Sequence, residues 1–176
     1  MDFFIFIKQT LNKGEMYQEI VIENAIKFVK EILKNAEGGH DWFHINRVLK
    51  NAVLISKEEK ADLFIVSLGA LFHDIADPKF HNGDETIGPK ITNAFLRKEK
   101  VDELVINHVI NIIKHISFKN SLENPKEIFN SIELKVVQDA DRLDAIGAIG
   151  IARCFNYGGF KNRTLYNPEI LPNLNM

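Results

Sequence analysis

The sequence predicts an all-α fold, a compact bundle of about six helices. Apolar residues recur at helical spacing along most of the chain, and the alternation typical of strands is nearly absent. Only 5 of the 176 residues are proline. Hydrophobic residues make up 45% of the chain and charged residues 26%, a balance typical of one globular domain.

The first three predicted helices contain the clearest apolar patterns. Residues 18–36 and 41–57 each carry one apolar stripe, and a glycine pair at 38–39 ends the first helix. Residues 61–75 are apolar nearly all round, which indicates a central, buried helix. Pro78 ends this third helix, because the residue before a proline avoids helical geometry.

Three more helices complete the predicted bundle. The fourth covers 88–98 with Pro89 in its first turn, and the fifth covers 101–116. The sixth begins near 128 or 131 and continues unbroken to about 155. The segment 157–160 and the tail that follows it are predicted to be irregular.

Composition excludes several classes of protein. The chain has 22 basic and 24 acidic residues, a net charge of −2, which argues against dedicated nucleic-acid binding. No apolar run reaches the roughly 18–20 residues of a membrane span. A signal peptide is not predicted, because the apolar patch at 3–7 has no basic residues before it. The single cysteine, Cys154, excludes a disulfide framework, and a cytoplasmic location is expected.

The third helix ends in a polar pair, His73-Asp74. A carboxylate at a buried position needs a partner. His44 lies at the start of the second helix, one turn before the inward-facing Val48, and His40 precedes it by four residues. Simpler interpretations stay open: a capping or ion-paired aspartate, a core histidine with its hydrogen bonds satisfied, or a histidine that orients the chain before the helix.

Three acidic residues, Asp139, Asp141 and Asp144, lie within the predicted sixth helix among apolar neighbours. We expect Asp141, Asp144 and Ala148 to share one helix face. The alternative is a solvated acidic face on which Asp139 or Asp144 pairs with Arg142.

Two imidazoles and two carboxylates from three apolar helices form a mixed nitrogen and oxygen ligand set. Such a set suits a divalent Mn, Co, Fe, Zn or Mg ion, with manganese favoured here. An ion of this kind lowers the pKa of a bound water and so provides a nucleophile at neutral pH.

This ordered pattern resembles the HD-domain superfamily of metal-dependent phosphohydrolases, whose signature is H…HD…D. The segments 40–48, 71–77 and 138–148 are similar to a bacterial subgroup of small HD hydrolases. Members of that subgroup hydrolyse nucleoside triphosphates to monophosphate and pyrophosphate. The resemblance covers about residues 18–165 and implies a domain at 16–160. It leaves 1–15 as a poorly ordered appendage and 161–176 as a tail shortened relative to the family.

The resemblance assigns the metal ligands to His44, His73, Asp74 and Asp141. His44 is preferred to His40 because the first ligand of the family precedes a valine by four residues. Asp77 matches a carboxylate that assists near the leaving group or the attacking water. A turn-forming aspartate before a proline is an equally good interpretation of this residue.

A phosphorylated substrate also needs positive charge and hydrogen-bond donors. Arg47 is the first choice for both catalysis and phosphate binding, and the other predicted substrate-binding residues are Lys79, His115, Lys119 and Asp144. The lysines and the arginine are alternatively surface charges. His108 and His115 lie on one face of the fifth helix, and His115 is the better candidate.

We therefore expect a metal-dependent phosphohydrolase that acts on a small nucleotide. Two alternatives stay open: a phosphodiesterase or phosphomonoesterase, and a non-catalytic nucleotide or metal sensor that has kept the ligands. The expected partner is a small phosphorylated molecule, and a homo-oligomer is compatible with the sequence.

Overall fold

The computed structural model describes residues 12–36, 39–76, 83–116 and 129–170. Within these ranges it contains helices and no strand, which confirms the all-α prediction. The elements are α1 (Lys13–Ile32), a 3₁₀ turn (Leu33–Asn35), α2 (Trp42–Glu59), α3 (Leu63–Phe72), α4 (Ile87–Lys98), α5 (Glu103–His115), α6 (Ile132–Leu143) and α7 (Gly147–Phe160).

The first helix begins earlier than the apolar pattern indicates. Asn12 accepts hydrogen bonds from the backbone N–H groups of Gly14 and Glu15, while Glu15 accepts one from the N–H of Asn12. This reciprocal capping satisfies N–H groups that the first turn leaves unpaired. Helix α1 therefore starts at Lys13, within the segment 1–15 that we expected to be an appendage.

Helix α3 is the centre of the bundle, as its composition predicts. Every residue from Phe64 to Phe72 is buried, and the helix packs against α1, α2, α5 and α6. Gly69 allows this close packing: a Cβ atom there would lie 3.3 Å from the side chains of Ile112 in α5 and Val137 in α6.

Helices α3 and α6 run in the same direction. At their N-terminal ends, the N–H of Asp62 donates to Glu133; at their C-terminal ends, His73 faces Asp141. Helix α2 runs the opposite way, because His44 in its first turn lies beside His73. The start of α2 and the ends of α3 and α6 thus meet at one end of the bundle.

The prediction of one unbroken sixth helix was wrong. Helix α6 ends at Leu143, and Gly147 adopts a left-handed φ of +68° before α7 continues. Gly150 fits this junction because it has no side chain: a Cβ atom there would lie 2.1 Å from the carbonyl oxygen of Ala145. The segment 157–160, expected to be irregular, is the last turn of α7.

The break changes the position of Asp144, which caps the end of α6 instead of lying in the middle of a helix. Ala148 belongs to α7 and is not on the α6 face that carries Asp141. Helix α7 contributes no buried residue. In the part of the chain that the structure describes, no helix has the length and apolarity that crossing a membrane requires.

Candidate metal centre

Three helix ends bring the predicted ligands together. Asp41 caps α2 by accepting a hydrogen bond of 3.0 Å from the backbone N–H of His44, so His44 occupies the first turn. His73 caps the C-terminal end of the buried α3, and Asp141 lies in the last turn of α6. His44, His73 and Asp141 each offer one ligand atom, and these atoms all lie within 4.8 Å of one another.

Both imidazoles have their Nδ1 atoms bonded inside the protein. Nδ1 of His44 donates to Oδ2 of Asp144 at 2.8 Å, and Nδ1 of His73 donates to the carbonyl oxygen of Ala70 at 2.8 Å. These acceptors carry no proton, so each ring keeps its proton on Nδ1 and presents Nε2 to the cluster. Nε2 of His44 lies 3.5 Å from Oδ1 of Asp141, and Nε2 of His73 lies 3.7 Å from the same oxygen.

Asp74 lies at the edge of this cluster. Its Oδ2 atom is 3.9 Å from Nε2 of His44, and its side chain is only 17% exposed. The carboxylate of Asp74 therefore lies on the Nε2 side of His44, as Asp141 does. A fourth protein ligand would have to come from this side.

The residues present fit a divalent ion. Nε2 of His73 is buried and has no hydrogen-bond partner, which costs about 1–3 kcal/mol for a polar atom taken out of water. An ion bound there would satisfy this nitrogen. Two imidazole nitrogens with carboxylate oxygens form a donor set that suits transition metals.

The electrostatics of the cluster are strongly coupled. Burial, with help from the charges of His73 and Arg153, lowers the pKa of His44 to about 4. Burial also lowers the pKa of His73, but the carboxylates of Asp141 and Asp74 outweigh it and raise that pKa to about 9. Burial raises the pKa of Asp141, but His73 more than compensates, and the pKa falls to about 2. At neutral pH His44 is therefore neutral and Asp141 is ionised.

A second layer of charge lies behind His44. The carboxylate of Asp144 is only 3% exposed and accepts hydrogen bonds from three side chains. Arg47 donates through Nε and, at 2.9 Å, through Nη2; Arg153 donates through Nη1, also at 2.9 Å. We call His44, Arg47, Asp144 and Arg153 the Asp144 hub. Both oxygens of Asp144 face protein groups in this hub, and the substrate-binding role expected of Asp144 stays a prediction.

Comparison with known proteins identifies the family. The family model for the HD domain matches residues 42–146, more than half of the chain. This chain belongs to the HD domain family. The superfamily inferred from the H…HD…D pattern is thereby confirmed, while its subgroup stays a prediction.

Relatives of this HD domain include YpgQ of Bacillus subtilis, which is 43% identical over 154 residues, covering 84% of this chain and 71% of YpgQ. A crystal structure of YpgQ in complex with ADP has a TM-score of 0.70 and 40% identity, covering 88% of this chain and 73% of that one. A crystal structure of an HD-superfamily hydrolase from Bacillus thuringiensis has a TM-score of 0.67 and 45% identity, with coverages of 88% and 73%.

The sequence reasoning missed Arg153. Its side chain is 18% exposed, and its Nε is buried without a hydrogen-bond partner. A signal was available: Arg153 is the only charged residue within α7 of this HD domain. Because the sequence predicts one long helix up to about residue 155, the single positive charge of Arg153 among apolar residues does not stand out as a site residue.

The remaining predicted residues of the HD domain lie at varied distances from the cluster. Arg47 belongs to the Asp144 hub, and its side chain is 34% exposed. The ring of His40 lies 6.3 Å from that of His44 and 6.1 Å from that of Tyr157. Asp139 pairs with Arg142 at 3.6 Å on the exposed face of α6, as the alternative interpretation of the acidic residues had it.

His115 lies near the end of α5, where its Nδ1 donates to the carbonyl oxygen of Asn111 at 2.8 Å. His108, about two helical turns earlier in α5, contacts Ser131 and Glu133 and belongs to the edge of the core. Three further predicted residues fall outside the described ranges: Asp77, Lys79 and Lys119.

Proposed function

We propose that this protein is a metal-dependent phosphohydrolase that hydrolyses a nucleoside triphosphate to its monophosphate and pyrophosphate. The observation that carries the proposal is the convergence of His44, His73 and Asp141 within 4.8 Å, next to the arginines of the Asp144 hub. The complex of the related YpgQ with ADP supports a nucleotide as the ligand. We propose manganese as the ion.

The balance of charge around the site supports an anionic substrate. Asp74 and Asp141 together neutralise a divalent ion. In the hub behind them, the single carboxylate of Asp144 faces two guanidinium groups, so one positive charge is left over. Guanidinium groups beside a partly buried site attract a phosphate and stabilise the charge that develops on it during hydrolysis.

The chain would divide the work among its residues. His44, His73, Asp74 and Asp141 would hold the ion, whose chemistry when bound is activation of water and polarisation of a phosphoryl oxygen. Arg47, with a third of its side chain exposed, would bind the phosphate through its remaining Nη1. We propose Asp77 for proton transfer at the attacking water or leaving group, with Lys79, Lys119 and His115 as further phosphate-binding groups.

The test is a nucleotide panel assayed with Mn²⁺, Co²⁺, Zn²⁺ or Mg²⁺, followed by product analysis. We expect monophosphate and pyrophosphate from a nucleoside triphosphate. Free phosphate would instead indicate a phosphomonoesterase, and a linearised cyclic nucleotide a phosphodiesterase. Asp141→Ala should remove both bound metal and activity. Asp139→Ala, on the exposed face of the same helix, is the matched control and should retain them.

Binding of nucleotide and metal without turnover of any substrate in the panel would favour a sensor. No binding of either would contradict the proposal altogether. We also propose a reducing cytoplasmic location, supported by the single, exposed thiol of Cys154.

A further inference from the structure

The buried carboxylate of Asp144 has no place in the family signature that identified the ligands, yet it contacts the ring of His44 directly. Its Oδ2 atom accepts the Nδ1–H of His44 at 2.8 Å. On the other side of the same ring, Nε2 lies 3.5 Å from Asp141. Because Asp141 and Asp144 are one helical turn apart at the end of α6, they hold the imidazole between them.

We infer that Asp144 is a positioning residue of the metal centre: it fixes the tautomer and orientation of His44, and the hydrogen bonds from Arg47 and Arg153 hold it in place. This inference rests on the proposed function, since it assumes that His44 binds a metal.

The tautomer matters because an imidazole can bind a metal only through a nitrogen that carries no proton. A carboxylate can only accept, so its contact with Nδ1 places the proton there and leaves a lone pair on Nε2. A carboxylate bonded to a ligating histidine also makes that histidine a better donor. A water or an amide at the same place could donate instead, and the ring could then carry its proton on Nε2.

The two arginines hold the carboxylate of Asp144 in place, although it is only 3% exposed. A buried carboxylate is tolerated only where its oxygens are paired and hydrogen-bonded. Arg47 comes from the same helix as His44, three residues later, and grips both oxygens of the carboxylate. Arg153 reaches it from α7, whose own residues are not buried. The hub thus ties α2, the end of α6 and α7 to one ligand.

The first experiment measures Mn²⁺ affinity calorimetrically on the full chain. Asp144→Asn should weaken binding by about 10- to 100-fold, the usual effect of losing a group that supports a ligand. Asp139→Asn is the matched control, because it removes an acidic charge from the same helix without touching His44. A merely structural role would lower the melting temperature of Asp144→Asn and leave its Mn²⁺ affinity unchanged, which would overturn the inference.

A second measurement needs no variant. The ¹⁵N spectrum of metal-free wild-type protein at neutral pH reports which ring nitrogen of His44 is protonated. We expect the proton on Nδ1, and a proton on Nε2 would overturn the inference even if Asp144→Asn fails to fold. Wild-type protein that binds no divalent ion would overturn the proposed function as well. Equal Mn²⁺ affinity in wild type and a folded Asp144→Asn would overturn this inference alone.

A double-mutant cycle tests the part played by Arg153. If Arg153 acts on the metal through Asp144, Arg153→Gln should weaken Mn²⁺ binding in wild type and add little to Asp144→Asn. Additive losses would show that Arg153 acts independently of Asp144 and would remove it from the inference.

Discussion

The two ends of the α3–α6 pair contain the same kinds of residue and use them differently. At the N-terminal end, Nε2 of His108 contacts Oγ of Ser131 at 3.0 Å and Oε2 of Glu133 at 3.2 Å. Oε1 of Glu133 accepts the backbone N–H of Asp62 at 3.2 Å. At the C-terminal end, about 16 Å away by helical rise, Nε2 of His73 is buried without a hydrogen bond.

The presence or absence of an unpaired buried nitrogen distinguishes a histidine–carboxylate cluster that binds a ligand from one that only supports the fold. The cluster around Glu133 joins the N-terminal ends of α3 and α6, and the polar atoms named above have hydrogen-bond or ion-pair partners within the protein. The metal centre keeps a buried nitrogen without a hydrogen bond and collects carboxylates around it, an arrangement that either a bound ion or a proton on that nitrogen would compensate. Residue types alone do not separate these two cases; the unsatisfied atom does.

The largest expected effect comes from removing a ligand at the metal centre. His73→Ala should abolish stoichiometric metal binding and lower nucleotide hydrolysis by roughly 1000-fold or more, because the group that activates water is lost. The assay is metal content by mass spectrometry together with initial rates. His108→Ala at the other end is the comparison variant and should keep its metal. Loss of metal in both variants would contradict the conclusion that only the C-terminal end binds a metal.

The next largest effect is a pH dependence of the metal-free protein. The folded pKa of His73, about 9, lies above the ordinary value of 6.5. Its contribution to stability is therefore fully present below about pH 6.5 and is lost as the pH rises through 9. The loss should approach about 3 kcal/mol, at about 1.4 kcal/mol per pKa unit.

This pH effect is measured by denaturant unfolding in the presence of a chelator at pH 6, 7.5 and 9.5. His73→Gln should flatten the profile between pH 6.5 and 9.5. A wild-type unfolding free energy that stays constant over this window would contradict the electrostatic account of the metal centre.

A smaller effect is expected at the opposite end. Glu133→Ala leaves the N–H of Asp62 without its acceptor and should destabilise the fold by about 2 kcal/mol. Metal affinity at a temperature where the variant is folded should match that of wild type. Urea unfolding and calorimetry measure the two quantities, and a variant with weakened Mn²⁺ binding at full stability would mean that the two ends are coupled.

The smallest effect belongs to the exposed face of α6. Arg142→Ala removes the partner of Asp139, a pair whose side chains are more than half exposed. We expect a change below about 0.5 kcal/mol in the unfolding free energy, because solvent screens such pairs. A substantially larger change would show that charges on this face support the nearby Asp141.

Much of the fold could be predicted from local pattern. The continuous apolar run of α3 indicates burial on every side, and in the structure every residue from Phe64 to Phe72 is buried. The end of α6 could not be found in this way, because apolar residues continue through Ile146 and only the backbone requirements at Gly147 and Gly150 mark the junction. Local periodicity does not register a steric clash between adjacent turns.

The candidate site was predictable to the extent that its residues stand out against apolar neighbours. His73 ends a buried helix and Asp141 lies in a half-buried one, and the contrast with their apolar neighbours is visible in the sequence. The Asp144 hub was not visible, because the hydrogen bond between His44 and Asp144 spans 100 positions along the chain. Spacing places Asp144 one turn from Asp141 but does not tell which side chains of α2 and α7 surround it.

Because Gly69 has no side chain, the helices that carry the metal ligands can pack closely, and this packing fixes the positions of the ligands. Three helices meet at this position, where a methyl group would make tight contacts of 3.3 Å with Ile112 and Val137, and the next residue, Ala70, supplies the oxygen that orients His73. In a Gly69→Ala protein the side chains of Ile112 and Val137 would have to give way by a few tenths of an ångström. Metal ligands must be held within about 0.5 Å of their working positions, so this change at a buried position would disturb the metal centre about one helical turn away.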